Sequence, residues 1–384
     1  MFAGWGESGV AATPKPRVVK PIDLLPWDSL RQEISGKVLR PGESGYAAAA
    51  APWNPRYADL LPGGIAQCRS AADVQKALFW AQSNRIPLAI RSGGHCLAGH
   101  SNTRGLMIDL SLMRGVDLSD DGILRIDGGA RVSDLVPVLK SAGRALTLGR
   151  CPNLGMAGLI LGGGLGLAMR RHGLTCDQLL ETELVTSDGR LLVCDRLGNE
   201  DFFWACRGGG GGNFGVNTSF TLKTFPVGDL TVFTITWTRD LVDVLPTLLS
   251  ILPGAPDSLG CELSVKATAG GAARLELLGQ MMGTVEEVQS VLDPAYQIAR
   301  PEQETVESLP YWDGQERLAE RGAREMMQVR SRYAYADLPP QATDLILDSL
   351  KQWPGTAGSA TWRAYLTGGM VDTINRRGTA YVHR

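Results

Sequence analysis

Two of the chain's four histidines, His95 and His100, fall in one short run, Arg91-Ser92-Gly93-Gly94-His95-Cys96-Leu97-Ala98-Gly99-His100-Ser101. Adjacent glycines after an apolar segment present consecutive backbone N–H groups without Cβ obstruction, the chemistry of a nest that binds a pyrophosphate. The same glycines give His95 an exposed, oriented imidazole. Taken alone, Ser-Gly-Gly is more often a tight turn with no ligand. A second run, from Gly149 to Gly166, sets Cys151 between Arg150 and Pro152. A neighbouring guanidinium favours the thiolate, the reactive form of the side chain, and the small residues that follow let a flat ligand lie against the main chain. The alternative is a buried inert thiol, which is the reading for the other six cysteines at 68, 96, 176, 194, 206 and 261.

A third run, Arg207 to Gly215, contains a formal G-x-G-x-x-G at Gly210, Gly212 and Gly215. In dinucleotide-binding folds that fingerprint opens a helix after a strand. Here Val216 to Phe225 follows, a β-type run, so the Rossmann reading is rejected, and no G-x-x-x-x-G-K-[ST] is present to suggest a P-loop. The three runs account for a local excess: 25 of the 47 glycines lie between Arg91 and Gly215. Something approaches the backbone closely there.

These residues need elements to position them. Residues 1–55, rich in Pro, Ala and Gly, read as an extended arm. Ser70 to Asp73 resembles a capping box that opens a helix through Val74, Ala77, Leu78 and Ala81, and Pro87 to Ile90 reads as a short strand ending at Arg91. Met107–Leu110 and Leu124–Ile126 look like strands, and Ser133–Ala142 like a helix with Gly143 as its C-cap. The stretch from Leu154 to Met169 is uncharged but broken by six glycines, so it reads as loop and turn and is too short to span a bilayer. Glu183–Thr186 and Leu191–Cys194 flank Asp188-Gly189, a hairpin signal. Beyond about 228 the pattern is that of a second α+β unit: strands at 230–237, 259–266 and 273–279, and helices at 241–252, from the Thr284-x-x-Glu287 box, and at 341–353. The division expected is an arm (1–55), a first domain (56–226) and a second (227–384).

With 384 residues and a net charge of -2, the chain carries no electrostatic footprint for nucleic acid or anionic lipid. Seven cysteines without C-x-x-C pairs argue against a disulfide scaffold and a structural zinc site, and no metal is expected. The first ten residues show neither a basic segment nor an apolar core, which leaves cytoplasmic and exported locations both open.

Arg91-Ser-Gly-Gly-His95 followed 56 residues later by the Cys151-Pro152 motif, Gly149-x-Cys151-Pro-x-x-Gly155, resembles the berberine-bridge-enzyme-like branch of the vanillyl-alcohol-oxidase/p-cresol-methylhydroxylase (PCMH) flavoproteins. The likeness continues through Arg171–Asp177, Val185–Gly189, Asp201–Gly208 and Gly212–Gly215, over residues 57 to 225, and more weakly at Gly368-Gly369 and Thr379–Arg384. It implies an α+β fold: a PCMH-type FAD-binding module of two α/β subdomains, then a substrate domain with an antiparallel sheet and flanking helices. It implies bicovalent FAD, with His95 on the 8α-methyl and Cys151 on C6. Neutral imidazole and thiolate are both nucleophiles suited to an electrophilic ring. By the same resemblance Arg91, Ser92, Gly93, Gly94, Cys96, Gly99 and His100 wrap the pyrophosphate. Leu154, Gly155, Gly158, Gly162, Gly163, Gly164 and Gly166 line the flavin and its ribityl chain. Gly173, Asp177, Gly212, Asn213, Phe214, Gly215 and Val216 lie toward the adenine and ribose.

The implied activity is oxidation of an alcohol or amine carbon of a small molecule, a sugar or secondary metabolite, with dioxygen or another compound as acceptor. Leu154, at the position held to gate oxygen, implies sluggish reaction with dioxygen, and rapid stoichiometric peroxide release would contradict it. Family members continue past the region matching Thr379–Arg384 with segments that supply the general base. The base is therefore unassigned, and Tyr311, Tyr333, Tyr335 and Tyr381 are candidates by residue type alone. Two other readings are a flavin-binding relic without catalysis and a glycine-rich structural domain without cofactor.

Overall fold

Short runs of small and branched apolar residues, alternating with helical periodicity, build the first sheet of this computed structural model, which describes residues 21–268, 273–336, 338–353 and 358–384. Strands β1 (Lys37–Leu39), β2 (Gly64–Gln67), β3 (Leu88–Arg91) and β4 (Leu106–Asp109) lie in the order β1-β2-β4-β3. β2 and β3 run parallel to β4, and β1 pairs antiparallel at the edge. All four residues of β4 are buried, as a strand covered on both faces requires. The helix Ala71–Ser83 crosses between β2 and β3, and Ser70 Oγ accepts the Asp73 N–H at 3.3 Å as its N-cap.

The expected arm ends far earlier than residue 55. From Pro21 on, the chain folds: Leu25, Trp27, Leu30, Ile34 and Val38 are buried beside the helix Ala71–Ser83, and residues 1–20 lie outside the described residues. The Pro and Ala content masked a helix, Trp27–Glu33, too short for its periodicity to register.

The second sheet follows: β5 (Val116–Leu118), β6 (Ile123–Asp127), the two-residue β7 (Arg144–Ala145), β8 (Leu179–Val185), β9 (Leu191–Cys194), β10 (Val216–Lys223) and β11 (Phe225–Pro226). Five of them form an antiparallel sheet in the order β5-β6-β10-β8-β9, while β7 pairs with β11. The β8–β9 hairpin turns at Gly189, whose φ of +81° suits the expected Asp-Gly turn. β10 follows the third glycine run directly, as the rejection of a Rossmann fingerprint requires. The stretch 154–169 is not all loop. Met156–Leu161 is helical, with Met156, Ala157, Ile160 and Leu161 buried, and Gly162 caps it. One and a half turns hidden among glycines leave too little periodicity to recognise.

The third sheet is antiparallel throughout, β15-β12-β14-β13-β16, built from β12 (Asp229–Trp237), β13 (Leu259–Thr268), β14 (Ala273–Met281), β15 (Gln303–Pro310) and β16 (Ser359–Tyr365). One face packs on the helices Leu241–Ile251, Val285–Ile298 and Pro340–Lys351 through Leu263, Val265, Leu275, Leu277, Val244, Leu248, Val288, Leu292 and Leu347. The Thr284/Glu287 capping box forms as expected. On the other side Leu230, Val232 and Leu278 join the buried cluster of Leu124 and Phe220, so one core ties the second and third sheets together. Among the described residues no helix is long and apolar enough to cross a membrane.

Candidate functional site

Between the first two sheets and the open face of the third lies a cavity of about 3080 Å³, where all three glycine runs meet. Ligand pockets commonly measure roughly 300–1,000 Å³, so this space is several times the size of a single small-molecule site. On its wall two glycines meet. A Cβ on Gly93 would stand 2.4 Å from Gly155 N, and one on Gly155 would stand 2.3 Å from Gly93 N. Only bare backbone lets the loop after β3 touch the turn before the helix Met156–Leu161. That contact brings His95 and Cys151 onto the same cavity.

The His95 ring stacks on Trp53, with centroids 4.0 Å apart and planes 22° apart. Its Nδ1 is buried without a hydrogen-bond partner among the described residues, and so are Ser92 Oγ and Ser101 Oγ. Burial lowers the His95 pKa; the Glu320 carboxylate pulls the other way and Arg324 adds to the lowering. The imidazole is thus neutral at pH 7, as a nucleophile must be.

At Cys151 the expectation of an arginine-stabilised thiolate fails. Burial and the adjacent Glu320 carboxylate push the thiol up to about 11, and Arg150 only partly opposes them. Arg150 is occupied elsewhere: its guanidinium donates to Glu262 at 2.6 Å and to the Leu318 carbonyl at 2.9 Å. Of the remaining cysteines, five are buried, while Cys96 is half-buried on the cavity wall.

Ser92, Gly93, Gly94, Cys96, His100, Leu154, Gly155, Gly158, Gly162, Gly164, Gly212 and Gly215 also line the cavity. Several residues of the sequence-derived set do not. The Arg91 side chain turns away and braces residues 49–51: it donates to the carbonyls of Ala49, Ala50 and Ala51 and to Asn102 Oδ1. Gly99 admits the Tyr57 ring, Gly163 the Tyr381 ring and Gly166 the Leu148 carbonyl, so these three glycines serve packing. Asp177 takes the Arg384 guanidinium at 2.7 and 2.8 Å, with Gly173 packed on its side chain. Asn213 Nδ2 donates to the Gly209 carbonyl, Phe214 is exposed, and Val216 is buried at the start of β10.

Among the tyrosines, Tyr311 is buried edge-on to Phe225 and Trp312, away from the cavity. Tyr333, Tyr335 and Tyr381 line it. Tyr333 and Tyr381 share a hydrogen bond between hydroxyls, Tyr335 bonds His383 Nδ1, and Tyr333 stacks on the His383 ring at 3.5 Å.

The opposite wall escaped the sequence reading. The open face of the third sheet presents Ser264 and Lys266 from β13, Arg274 and Glu276 from β14, and Arg363 and Tyr365 from β16. Beneath it Glu262 is 2% exposed and receives both Arg150 and, at 2.9 Å, Arg363. Burial raises the Tyr365 pKa, which a hydrogen bond with Arg363 partly offsets. The available signal was the alternation of polar residues at 262, 264 and 266 with apolar ones at 261, 263 and 265.

A family model described as an FAD binding domain matches residues 62–195. The uncharacterised FAD-linked oxidoreductase YgaK of Bacillus subtilis is 31% identical over 366 residues, covering 92% of this chain and 79% of that protein. Glucooligosaccharide oxidase of Sarocladium strictum is 32% identical over 241 residues, 62% of this chain and 48% of its own, so the chain spans about half of that relative. The solved structure of a Physcomitrella patens BBE-like protein superposes with a TM-score of 0.81 at 20% identity, over 93% of this chain and 81% of that one. With these relatives the chain belongs to the FAD-linked oxidoreductases, and its fold is that of the berberine-bridge-enzyme-like branch of the vanillyl-alcohol-oxidase/PCMH superfamily.

Proposed function

We propose that the chain oxidises an alcohol carbon of a sugar or secondary metabolite, with FAD bonded at its 8α-methyl to His95 and at C6 to Cys151. The carrying observation is the Gly93–Gly155 backbone contact, which sets a neutral imidazole and a thiol on one cavity. The residues present fit FAD. Ser92 to Cys96 offer main-chain N–H groups, with Ser92 Oγ and His95 Nδ1 unpartnered among the described residues, and Gly155, Gly158, Gly162 and Gly164 bring bare main chain to the cavity between the apolar Leu159 and Leu161. When bound, FAD supplies the hydride acceptor. In this reading residues 56–226 hold the cofactor and 227–384 present the substrate.

The polar wall of the third sheet suits a polyhydroxylated substrate, because Lys266, Arg274, Glu276 and Arg363 offer donors and acceptors in a fixed array. The curated relative that acts on glucooligosaccharides supports the same class. Oxidation of an alcohol releases its hydroxyl proton, which needs an acceptor in the site. Tyr365 lies on that wall with Arg363 beside it, which counters part of the burial that holds its proton, whereas Tyr311 has neither the position nor the cation. Leu154, which lines the cavity from the second glycine run, supports slow reaction with dioxygen.

Denatured protein should stay yellow and yield peptides of His95 and Cys151 bearing the mass of FAD. Glucose oligomers added without oxygen should bleach the flavin. Colourless precipitate, or colour that no alcohol bleaches, sinks the attachment or the activity respectively.

A further inference from the structure

Cys151 Sγ lies 3.6 Å from Glu320 Oε2. The carboxylate is not there by the accident of a loose side chain. Arg150 Nη1 donates to the Leu318 carbonyl at 2.9 Å, and Glu320 N–H donates to the Arg150 carbonyl at 3.1 Å. Residues 318–320 are thus strapped along the residue that precedes Cys151. The two carboxylates near the thiol are differently employed. Glu262 is 2% exposed and gripped by Arg150 at 2.6 Å and Arg363 at 2.9 Å, which commits its charge. Glu320 meets the same two guanidinium groups only at 3.8 and 3.7 Å and is 40% exposed, so it is free to accept a proton and pass it to water.

We infer that Glu320 is the base that takes the Cys151 proton when the sulfur bonds to the flavin. The inference rests on the proposed attachment of FAD at Cys151. In the step, the S–H proton goes to Glu320 Oε2 and the sulfur forms a bond to C6 of the ring. The C6 hydrogen leaves as a proton, and the electron pair passes through the ring to dioxygen, which leaves as hydrogen peroxide. One thiol, one aromatic C–H and one dioxygen therefore give one thioether and one peroxide. A base is needed here because burial pushes the thiol to about 11. On the order of one thiol in ten thousand is then ionised at pH 7. The charged groups facing it are Glu320, Arg150 and Arg363, with Glu262 behind them.

This role separates from a purely electrostatic one, because the two predict opposite signs. The Glu320 charge holds the thiol up, so Glu320→Gln lowers the thiol pKa. If charge alone mattered, that variant would attach flavin faster. If Glu320 is the base, it attaches slower. Full-length chain produced in riboflavin-starved cells is mixed with FAD at pH 7, and the Cys151 and His95 peptides are followed by mass. Alkylation of Cys151 against pH, before FAD is added, gives the thiol titration. Expected for Glu320→Gln is attachment at Cys151 slowed at least about tenfold, an unchanged His95 adduct and an alkylation midpoint shifted down, with Glu320→Asp recovering most of the rate. Attachment at or above the wild-type rate overturns the inference, as does loss of both adducts together. Wild-type chain that binds FAD but never carries it on Cys151 overturns the attachment reading itself, a result seen without any variant.

Discussion

Tyr365 and His172 show how one side chain's surroundings decide its chemistry. Tyr365 stands on the polar wall with Arg363 beside it, whereas Tyr381 is buried with its ring against Gly163 and its main chain against Gly208. Burial and its bond to Tyr333 raise the Tyr381 pKa well beyond the ordinary phenol. Tyr365→Phe should therefore cut kcat/KM on an alcohol substrate by about a hundredfold and remove one limb of its pH profile, while Tyr381→Phe should change it far less. His172 lies flat on Phe225, ring centroids 3.6 Å apart, with Nε2 buried and without a partner among the described residues. Burial, aided by Arg171, lowers its pKa to about 4. A depressed pKa means that the folded state holds the neutral ring. Its contribution to stability is complete above the unfolded value near 6.5 and is lost as pH falls toward about 4. His172→Phe keeps the stack and removes the proton site. Its melting temperature should drop less than the wild type's when pH is lowered from about 7 to about 4.5.

At the scale of elements, the start of the helix Ala71–Ser83 carries more than its cap. Asp73 accepts from Ser35 N at 2.8 Å, Ser35 Oγ at 2.9 Å, and Gly36 N and Arg69 N at 3.0 Å. It thereby joins the helix to the segment before β1. Ser70→Ala should cost about 1 kcal/mol, the loss of one cap. Asp73→Ala should cost roughly 2–4 kcal/mol, since bonds to a charged acceptor count about 1.5–3 kcal/mol each and do not add; urea denaturation compares the two. The Ser70 cap was legible because both partners sit within four residues. Ser35 was not, because its approach to Asp73 is made by the fold. The same division runs through the site. The loops bearing His95 and Cys151 were legible in their glycines, but Arg91 was misplaced because a guanidinium reaches in any direction from its strand. The wall of Arg363 and Tyr365 was missed because β16 has a half-exposed pattern with no apolar stripe on its open side.

For the whole molecule, the site exists only where two halves of the chain meet, and the buried Arg150–Glu262 pair is a bond across that seam. Arg150 is 12% exposed and Glu262 2%; the carboxylate also holds the more exposed Arg363 at 2.9 Å, but the buried Arg150 depends on Glu262 for its compensation. Removing one charge should cost more than removing both. Glu262→Leu strands Arg150 with Glu320 at 3.8 Å and should lose roughly 3–5 kcal/mol in denaturant unfolding. Arg150→Met combined with Glu262→Leu should recover a good part of that loss, because a packed apolar pair carries no desolvation penalty. Flavin content should separate from stability in this cycle. The double variant also loses the Arg150 side-chain bond to the Leu318 carbonyl, one of the two that strap residues 318–320 beside Cys151. If the seam serves only folding, flavin on Cys151 should return with stability in the double variant. If it also positions the site, stability should return while flavin on Cys151 stays low, as the ratio of Cys151 to His95 adducts would show.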